Sequence, residues 1–166
     1  MHKAGKGIWC TMLRMSKMGR ARTRKTKQTA KTYGTVITYG TFDVLHIGHI
    51  RLLKRARALG SSLIVGLSTD AFNVLKHKEA LQPYKERKAI LESLRFVDKV
   101  IPEDSWEQKK LDVKKYGAAV LAMGSDWKGK FDDLKKYCRI VYLPRTKNIS
   151  STGVKKHAAT KYIRNA

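Results

Sequence analysis

The chain has 166 residues, with 36 Lys and Arg against 13 Asp and Glu and a formal net charge of +23. Its length and an apolar content of 42% suit one domain around one core, and no apolar run approaches the roughly 18 residues of a membrane span. Cys10 and Cys138 lie in unrelated segments, which argues against a disulfide framework or cysteine metal motif and makes a reduced cytoplasm the simplest compartment.

The charge is unevenly spread. Residues 1–34 carry ten of the basic residues and none of the acidic ones, with few large apolar residues after Met18 and no periodicity. That composition predicts a disordered basic extension preceding a domain over 35–166. Three readings fit the extension: an arm making nonspecific contact with nucleic acid or a membrane surface, a transit peptide, or an early start upstream of Met12, Met15 and Met18.

From Thr35 the chain alternates strands and helices. Thr35-Val-Ile-Thr-Tyr39 is β-branched and aromatic, as in a buried parallel strand, and Gly40 lets the backbone turn close to a ligand. A helix over about 49–59 places Ile50, Leu53, Ala56 and Ala58 or Leu59 toward a sheet, with Gly60 as its stop. At the mouth of that helix stand His46-Ile-Gly-His49, two imidazoles beside exposed amides and a positive helix end, which suits a polyphosphate. Metal ligation or structural packing are the other readings. The spacing lacks the Cys or carboxylate companions of a zinc site.

Ser62-Leu-Ile-Val-Gly-Leu67 reads as the second strand, and Ser68-Thr-Asp70 as a helix start. Lys76 and Lys78 then flank His77 in a polar loop, either as a solvated charge run or as phosphate ligands. A helix opens at Pro83-Tyr84 and runs to about Phe96, burying Ile90, Leu91 and Leu94. Arg87 and Arg95 share nearly the same side, leaning toward the sheet; inward arginines take a phosphate or a carboxylate, here Asp98 or Glu92. Val97 to Ile101 forms a short strand, Trp106 to Tyr116 a helix, Ala118 to Ala122 a fourth strand and Ile140 to Leu143 a fifth, stopped by Pro144. A last helix begins near Ser151. Arg145 can fork onto phosphate oxygens, with hydroxyls of Thr146, Ser150, Ser151 and Thr152 beside it; such a run also suits a capping turn. The pattern predicts an α/β fold, an open, mostly parallel five-stranded sheet with helices on both faces. Ligands of such sheets bind beyond the carboxyl ends of the strands, where all these motifs fall.

Gly40-Thr-Phe-Asp-Val-Leu-His-Ile-Gly-His49 resembles the G-T/S-F-D-x-x-H-x-G-H signature of the cytidylyltransferase branch of the nucleotidyltransferase superfamily. Met123-Gly-Ser-Asp-Trp127 and Arg145-Thr-Lys-Asn-Ile-Ser-Ser-Thr152 resemble its second and third motifs. Tyr84-Lys-Glu-Arg87, Arg95-Phe-Val-Asp98, Val100-Ile-Pro102 and Trp106-Glu-Gln-Lys-Lys110 are similar to the bacterial glycerol-3-phosphate cytidylyltransferases, and the likeness spans about residues 35–155. Three ordered motifs are far more specific than one.

The resemblance implies a Rossmann-like nucleotidyltransferase fold that condenses CTP with sn-glycerol 3-phosphate into CDP-glycerol and pyrophosphate, a step feeding teichoic-acid synthesis in the resembling bacteria. Choline phosphate, ethanolamine phosphate or an adenylyl donor are its nearby alternatives, and a noncatalytic nucleic-acid-binding protein on the same fold is a more distant one. It implies that His46, His49, Lys78 and Arg145 act in catalysis. Thr41, Phe42, Ile47, Gly48, Arg95, Asp126, Thr146, Lys147, Asn148, Ile149, Ser150, Ser151 and Thr152 complete the nucleotide site, while Lys76, Lys109 and Arg87 meet the acceptor. It implies Mg²⁺ or another divalent cation carried on the CTP phosphates, no tightly bound organic cofactor, and a homodimer. Asn148 stands where the family usually has Gly, and Ser151 where it has Thr; Asn tolerates positive φ and Ser keeps the hydroxyl.

The implied chemistry explains the residue types. A phosphomonoester, with its second pKa near about 6, is ionised at neutral pH and needs no general base. The obstacles are alignment and anion repulsion, which call for cations and hydrogen-bond donors rather than a protein nucleophile.

Overall fold

The computed structural model describes residues 33–164. The disorder expected over residues 1–34 therefore falls, apart from its last two positions, outside the described residues, as does Cys10. Strand β1 runs Tyr33–Gly40, starting two residues before its expected position. It is followed by α1 (Ile47–Arg57), β2 (Gly60–Ser68), α2 (Asp70–Leu75), α3 (Tyr84–Glu92), β3 (Lys99–Glu103), α4 (Gln108–Lys115) and β4 (Ala118–Gly124). Two 3₁₀ turns, Ser125–Trp127 and Asp132–Lys136, lead to β5 (Arg139–Leu143) and α5 (Ser151–Arg164).

The five strands lie in the order β3-β2-β1-β4-β5, and every pairing is parallel. The chain builds outward from β1 to β3, then crosses back to place β4 on the other side of β1. The carboxyl ends of β1 and β4 therefore flank the switch point where such sheets bind ligands. Alternation along β1 feeds two cores. Val36 packs with Leu53, Ala56, Leu63 and Leu91 beneath α1 and α3, while Ile37 and Tyr39 pack with Val113, Leu121, Phe131 and Leu134 beneath α4 and the second 3₁₀ turn. Both faces are covered, which is why the strands read as nearly continuous apolar runs. Among the described residues no helix is long and apolar enough to cross a membrane.

Three of the boundary shifts have a visible cause. Gly60 does not stop α1: the helix ends at Arg57, Ala58 caps it, and Gly60 opens β2 opposite Tyr33. Helix α3 ends at Glu92 rather than near Phe96, with Ser93 turning its hydroxyl back to the Ile90 carbonyl (2.7 Å). Strand β3 starts at Lys99 rather than Val97 because Asp98 is spent on register. Its carboxylate accepts from the Leu63 amide (2.7 Å), its own amide donates to the Leu63 carbonyl (2.9 Å), and Arg57 lies 3.3 Å away.

Gly66 of β2 lies against the Tyr39 ring, where an added Cβ would overlap ring carbons held in place by the Tyr39 hydroxyl bond to Asp112 (3.0 Å). We expect Gly66→Ala to cost about 1–3 kcal/mol in urea unfolding. Gly34→Ala, with nothing within 4 Å of the new carbon, serves as the near-neutral control. Equal stability of the two variants would contradict this packing.

Candidate active site

The loop leaving β1 is strained and then pinned. Phe42 and Val44 hold φ of 48° and 47°, a left-handed conformation that costs a non-glycine residue, and a β-branched one most, on the order of 1–3 kcal/mol. Asp43 between them is 3% exposed. Its carboxylate accepts from the Leu81 amide (2.9 Å) and the Gln82 amide (3.0 Å), while the Gln82 side chain accepts from the Val44 amide (3.0 Å). Lys155 of α5 adds an ion pair at 2.5 Å. Burial pushes the Asp43 carboxyl up, but Lys155 and the two amides outweigh it and hold the group below its usual range.

That pinned loop delivers His46 as the N-cap of α1. Its Nδ1 accepts from the Gly48 amide (3.1 Å), so in the neutral ring the proton sits on Nε2. Gly48 is required here, because a Cβ would lie 2.8 Å from the His46 ring and 3.1 Å from Ile149 of the third motif. His49 stacks on His46 at 3.9 Å with an interplanar angle of 17°, and the Phe42 ring meets it edge-on at 5.3 Å. Burial lowers the pKa of both imidazoles. His46 is depressed further by Arg145, and His49 falls to about 4 through burial and its positive-capable neighbour His46. Both rings are thus neutral at pH 7, and the Nδ1 of His49 is buried without a partner.

The third motif closes over this pair. The Ser151 hydroxyl donates to the Asp43 carbonyl (3.0 Å) and lies 3.5 Å from His46 Nε2. Asn148 has φ of 61°, the conformation that its glycine-like position calls for. Ser150 caps α5 through the Gly153 amide (3.1 Å), while Lys147 and Thr152 are exposed. Arg145 reaches Asp126 across the ends of β4 and β5 at 3.2 Å. Both side chains are more than half exposed, so the pair contributes at most about 1 kcal/mol and exchanges readily for a ligand. His46, His49, Asp126, Arg145, Thr146 and Ser151 share one cleft of about 210 Å³. A larger groove of about 1010 Å³ runs along α5 past Asn148 and His157, but neither His46 nor His49 lines it, so the candidate site is the smaller cleft.

Arg55 and Leu52 also line the cleft. The apolar stripe and histidine pair of α1 do not by themselves single out Leu52 and Arg55, although His49, Leu52 and Arg55 are spaced three apart on one helix face. Asp43 was passed over as well, although a carboxylate inside the first motif was its signal.

The other basic positions divide. Lys78 is exposed, its ammonium 5.8 Å above Trp127. Lys76 is nearly sealed, donating to the Ser68 hydroxyl at 2.5 Å and standing 3.5 Å from Glu103; burial lowers its pKa. Thr41 donates its hydroxyl to Asn73 (2.9 Å), and Ile47 is half exposed beside the histidines.

Three of the expected ligand contacts have other surroundings in this structure. Arg87 does lean inward, but its guanidinium is committed to the carbonyls of Gln82 (2.9 Å), Thr41 (2.8 Å) and Ser68 (2.9 Å) and to Asp70 (2.5 Å). It braces the loops around the crevice. Its carboxylate is Asp70, because Asp98 pairs with Arg57 and Glu92 with Lys88. A shared side for Arg95 and Arg87 requires a longer α3. With the helix ending at Glu92, Arg95 sits exposed in the turn before β3, at the amino ends of the strands and away from the cleft. Lys109, expected at the acceptor, is 1% exposed with its ammonium 2.5 Å from Glu103.

The depressed His49 pKa makes stability depend on pH. An unfolded histidine titrates near 6.5 and the folded one near 4, so between these values the unfolded state binds a proton that the folded state does not. Stability from this group is therefore full above about pH 6.5 and is lost as pH falls toward 4, by up to about 3 kcal/mol. We expect urea unfolding at pH 7 and 4.5 to show a smaller acid loss for His49→Asn than for the wild type; parallel losses would contradict the buried neutral imidazole.

Comparison with known proteins agrees with this geometry. The model of the cytidylyltransferase-like family matches residues 37–164. A glycerol-3-phosphate cytidylyltransferase of Bacillus subtilis (strain 168) is 57% identical over 118 residues, covering 71% of this chain and 92% of that protein. One from Staphylococcus aureus (strain NCTC 8325 / PS 47) is 56% identical over 114 residues, covering 69% and 86%. Among solved structures, a lipopolysaccharide core biosynthesis protein from Thermoplasma volcanium GSS1 superimposes with a TM-score of 0.61 at 26% identity, covering 69% of this chain and 98% of that one. The chain belongs to the cytidylyltransferase-like family, within its glycerol-3-phosphate cytidylyltransferase group.

Proposed function

We propose that the crevice transfers the cytidylyl group of CTP to sn-glycerol 3-phosphate, giving CDP-glycerol and pyrophosphate. The observation that carries this reading is the neutral imidazole pair at the α1 N-terminus facing Arg145 and Ser151 across one small cleft. The acceptor and base follow from the relatives that share more than half of their residues with this chain.

An ionised phosphate oxygen of the acceptor forms a bond to the α-phosphorus as the bond to the β-phosphate oxygen breaks, and pyrophosphate departs with the electron pair. His46 donates from Nε2, His49 lies parallel beneath it, and the first amides of α1 point toward the same charge. Neutral donors suit this task because they stabilise charge that grows on the phosphoryl oxygens without holding the triphosphate too tightly beforehand. Arg145 leaves Asp126 to fork onto the phosphates, Lys78 joins it, and Asp126 is freed for the nucleoside. Thr146, Lys147, Asn148, Ile149 and Ser150 form the backbone and hydroxyl wall around the triphosphate, and Lys76 takes the acceptor phosphate.

A divalent cation such as Mg²⁺ enters on the CTP phosphates as part of the substrate. The residues fit that arrangement better than a protein-held ion. Among the described residues no group of three or more His, Cys, Asp or Glu is placed to hold a metal, and the nearby Asp43 and Asp126 are paired with Lys155 and Arg145. In this reading the enzyme works as a homodimer in the cytoplasm, and residues 1–34, with ten basic and no acidic side chains, make nonspecific contact with nucleic acid.

Pyrophosphate release from four nucleoside triphosphates against glycerol 3-phosphate, choline phosphate and ethanolamine phosphate tests the reading. CTP with glycerol 3-phosphate is the expected productive pair; no release from any pair would remove it. In the same assay His46→Ala and His49→Ala are each expected to lower kcat by about 10²-fold or more while remaining folded, as when an oxyanion donor is lost. A folded variant of either with near-wild-type turnover would overturn its role as donor.

A further inference from the structure

Glu103 ends β3 beside Ser68, the last residue of β2, and is 2% exposed. One carboxylate oxygen receives the Lys109 ammonium at 2.5 Å. The other receives the Ser68 hydroxyl at 2.5 Å and lies 3.5 Å from Lys76, whose ammonium in turn donates to the Ser68 oxygen. One buried carboxylate thus serves two ammonium groups, and it serves them unequally. Lys109 is also enclosed by rings, 4.6 Å from the centre of Trp106, 4.8 Å from Tyr39, 5.6 Å from Phe131 and 5.9 Å from Phe72. Cation–π attraction and a short ion pair compensate that charge more closely than the one on Lys76. Lys76 has the Phe72 ring at 4.4 Å, the Trp106 ring at 5.8 Å, a hydroxyl and a long approach to a carboxylate already engaged. It is the undercompensated charge of the cluster, and it sits next to exposed Lys78.

We propose that Glu103 is a positioning residue for acceptor binding: with Ser68 it holds the Lys76 ammonium aligned yet only partly neutralised for an incoming phosphate, while Lys109 supplies the fixed counter-charge that keeps Glu103 from claiming Lys76 outright. This rests on the reading that Lys76 meets the acceptor phosphate. A free surface lysine would lose its rotamer freedom on binding, whereas Lys76 has lost it on folding, so its charge is presented at less cost. A phosphate dianion brought to Lys76 and Lys78 completes the balance of a cluster that folds with a surplus positive charge.

The groups that set the Lys76 charge are Glu103 from β3, Lys109 from α4 and Lys78 from its own loop. Asp112, the other buried carboxylate of α4, is occupied by the Tyr39 hydroxyl and the Gln108 amide. Burial, Lys78 and Lys109 already lower the Lys76 pKa, and Glu103 opposes them. Replacing Glu103 by Gln keeps the shape and removes the opposing charge, so Lys76 should lose its proton at a lower pH.

The test is Glu103→Gln, read in two ways. Titration of ¹³Cε-labelled lysine by NMR, assigned with Lys76→Arg, should show the Lys76 pKa falling by about one unit or more in Glu103→Gln. In steady-state kinetics the KM for glycerol 3-phosphate should rise about 10-fold or more at pH 8.5, with the alkaline limb of its pH profile moved down, while kcat and the KM for CTP change less than about 3-fold. Ser68→Ala keeps every charge and should raise the same KM with a smaller shift of that limb. An unchanged Lys76 pKa in folded Glu103→Gln would overturn the proposal, as would kcat and both KM values moving together, the pattern of a merely structural residue. A pKa difference between the two proteins, with a wild type that neither binds nor uses glycerol 3-phosphate, would instead overturn the acceptor reading on which the proposal rests.

Discussion

The active site depends on one buried carboxylate. Asp43 stands between two residues in left-handed conformations that the loop would not keep unaided, and its oxygens bind the Leu81 and Gln82 amides and Lys155. Its backbone carbonyl takes the Ser151 hydroxyl. The loop after β1, the loop before α3 and the start of α5 are therefore joined at one residue. His46 is three positions further on, so the orientation of the imidazole pair is inherited from this junction. The local strain is offset by hydrogen bonds and an ion pair drawn from the loop before α3 and from α5, which links the geometry of the histidines to the integrity of the whole crevice.

Around this junction the charges are arranged by depth. Deepest lies the sealed pair of Glu103 with Lys109, while the buried Arg87 guanidinium reaches out to Asp70, whose side chain is half exposed. The mouth holds charges that solvent or weak partners satisfy, Arg145 on Asp126 and Lys78 above Trp127. Between them lie two imidazoles that burial keeps neutral. Such layering lets two polyanions enter a cationic mouth and react beside donors that carry no charge of their own. The cations overcome anion repulsion, and the imidazoles respond to the charge that moves during transfer.

Much of the fold was legible because parallel strands covered on both faces leave apolar, β-branched runs, and Gly, Pro and Ser-Thr-Asp mark their ends. What failed was the exact reach of α1 and α3. Gly60 and Phe96 looked like helix boundaries but are claimed by sheet pairing and core packing, which local spacing does not show. The error carried over to Arg95, whose supposed alignment with Arg87 required a helix that runs four residues further. His46, His49 and Arg145 were legible as types suited to phosphate, Asp126 only through the resemblance and as a nucleoside contact, and the structure brings all four to one cleft. The partners of Asp43, Arg87 and Lys109 were not legible, since they arrive from distant segments that only the topology brings together. A buried lysine and an exposed one look alike in sequence.

The central claim is that the imidazoles donate hydrogen bonds during a single displacement and never bond covalently to phosphorus. A CTP made chiral at its α-phosphorus by sulfur substitution tests this directly, by comparing its configuration with that of the thio-CDP-glycerol formed. Direct attack by the acceptor inverts the phosphorus once, so the product should have the inverted configuration. Retention would contradict the account, because it would require a second displacement through an enzyme-bound cytidylyl group, with His46 or His49 as the nucleophile.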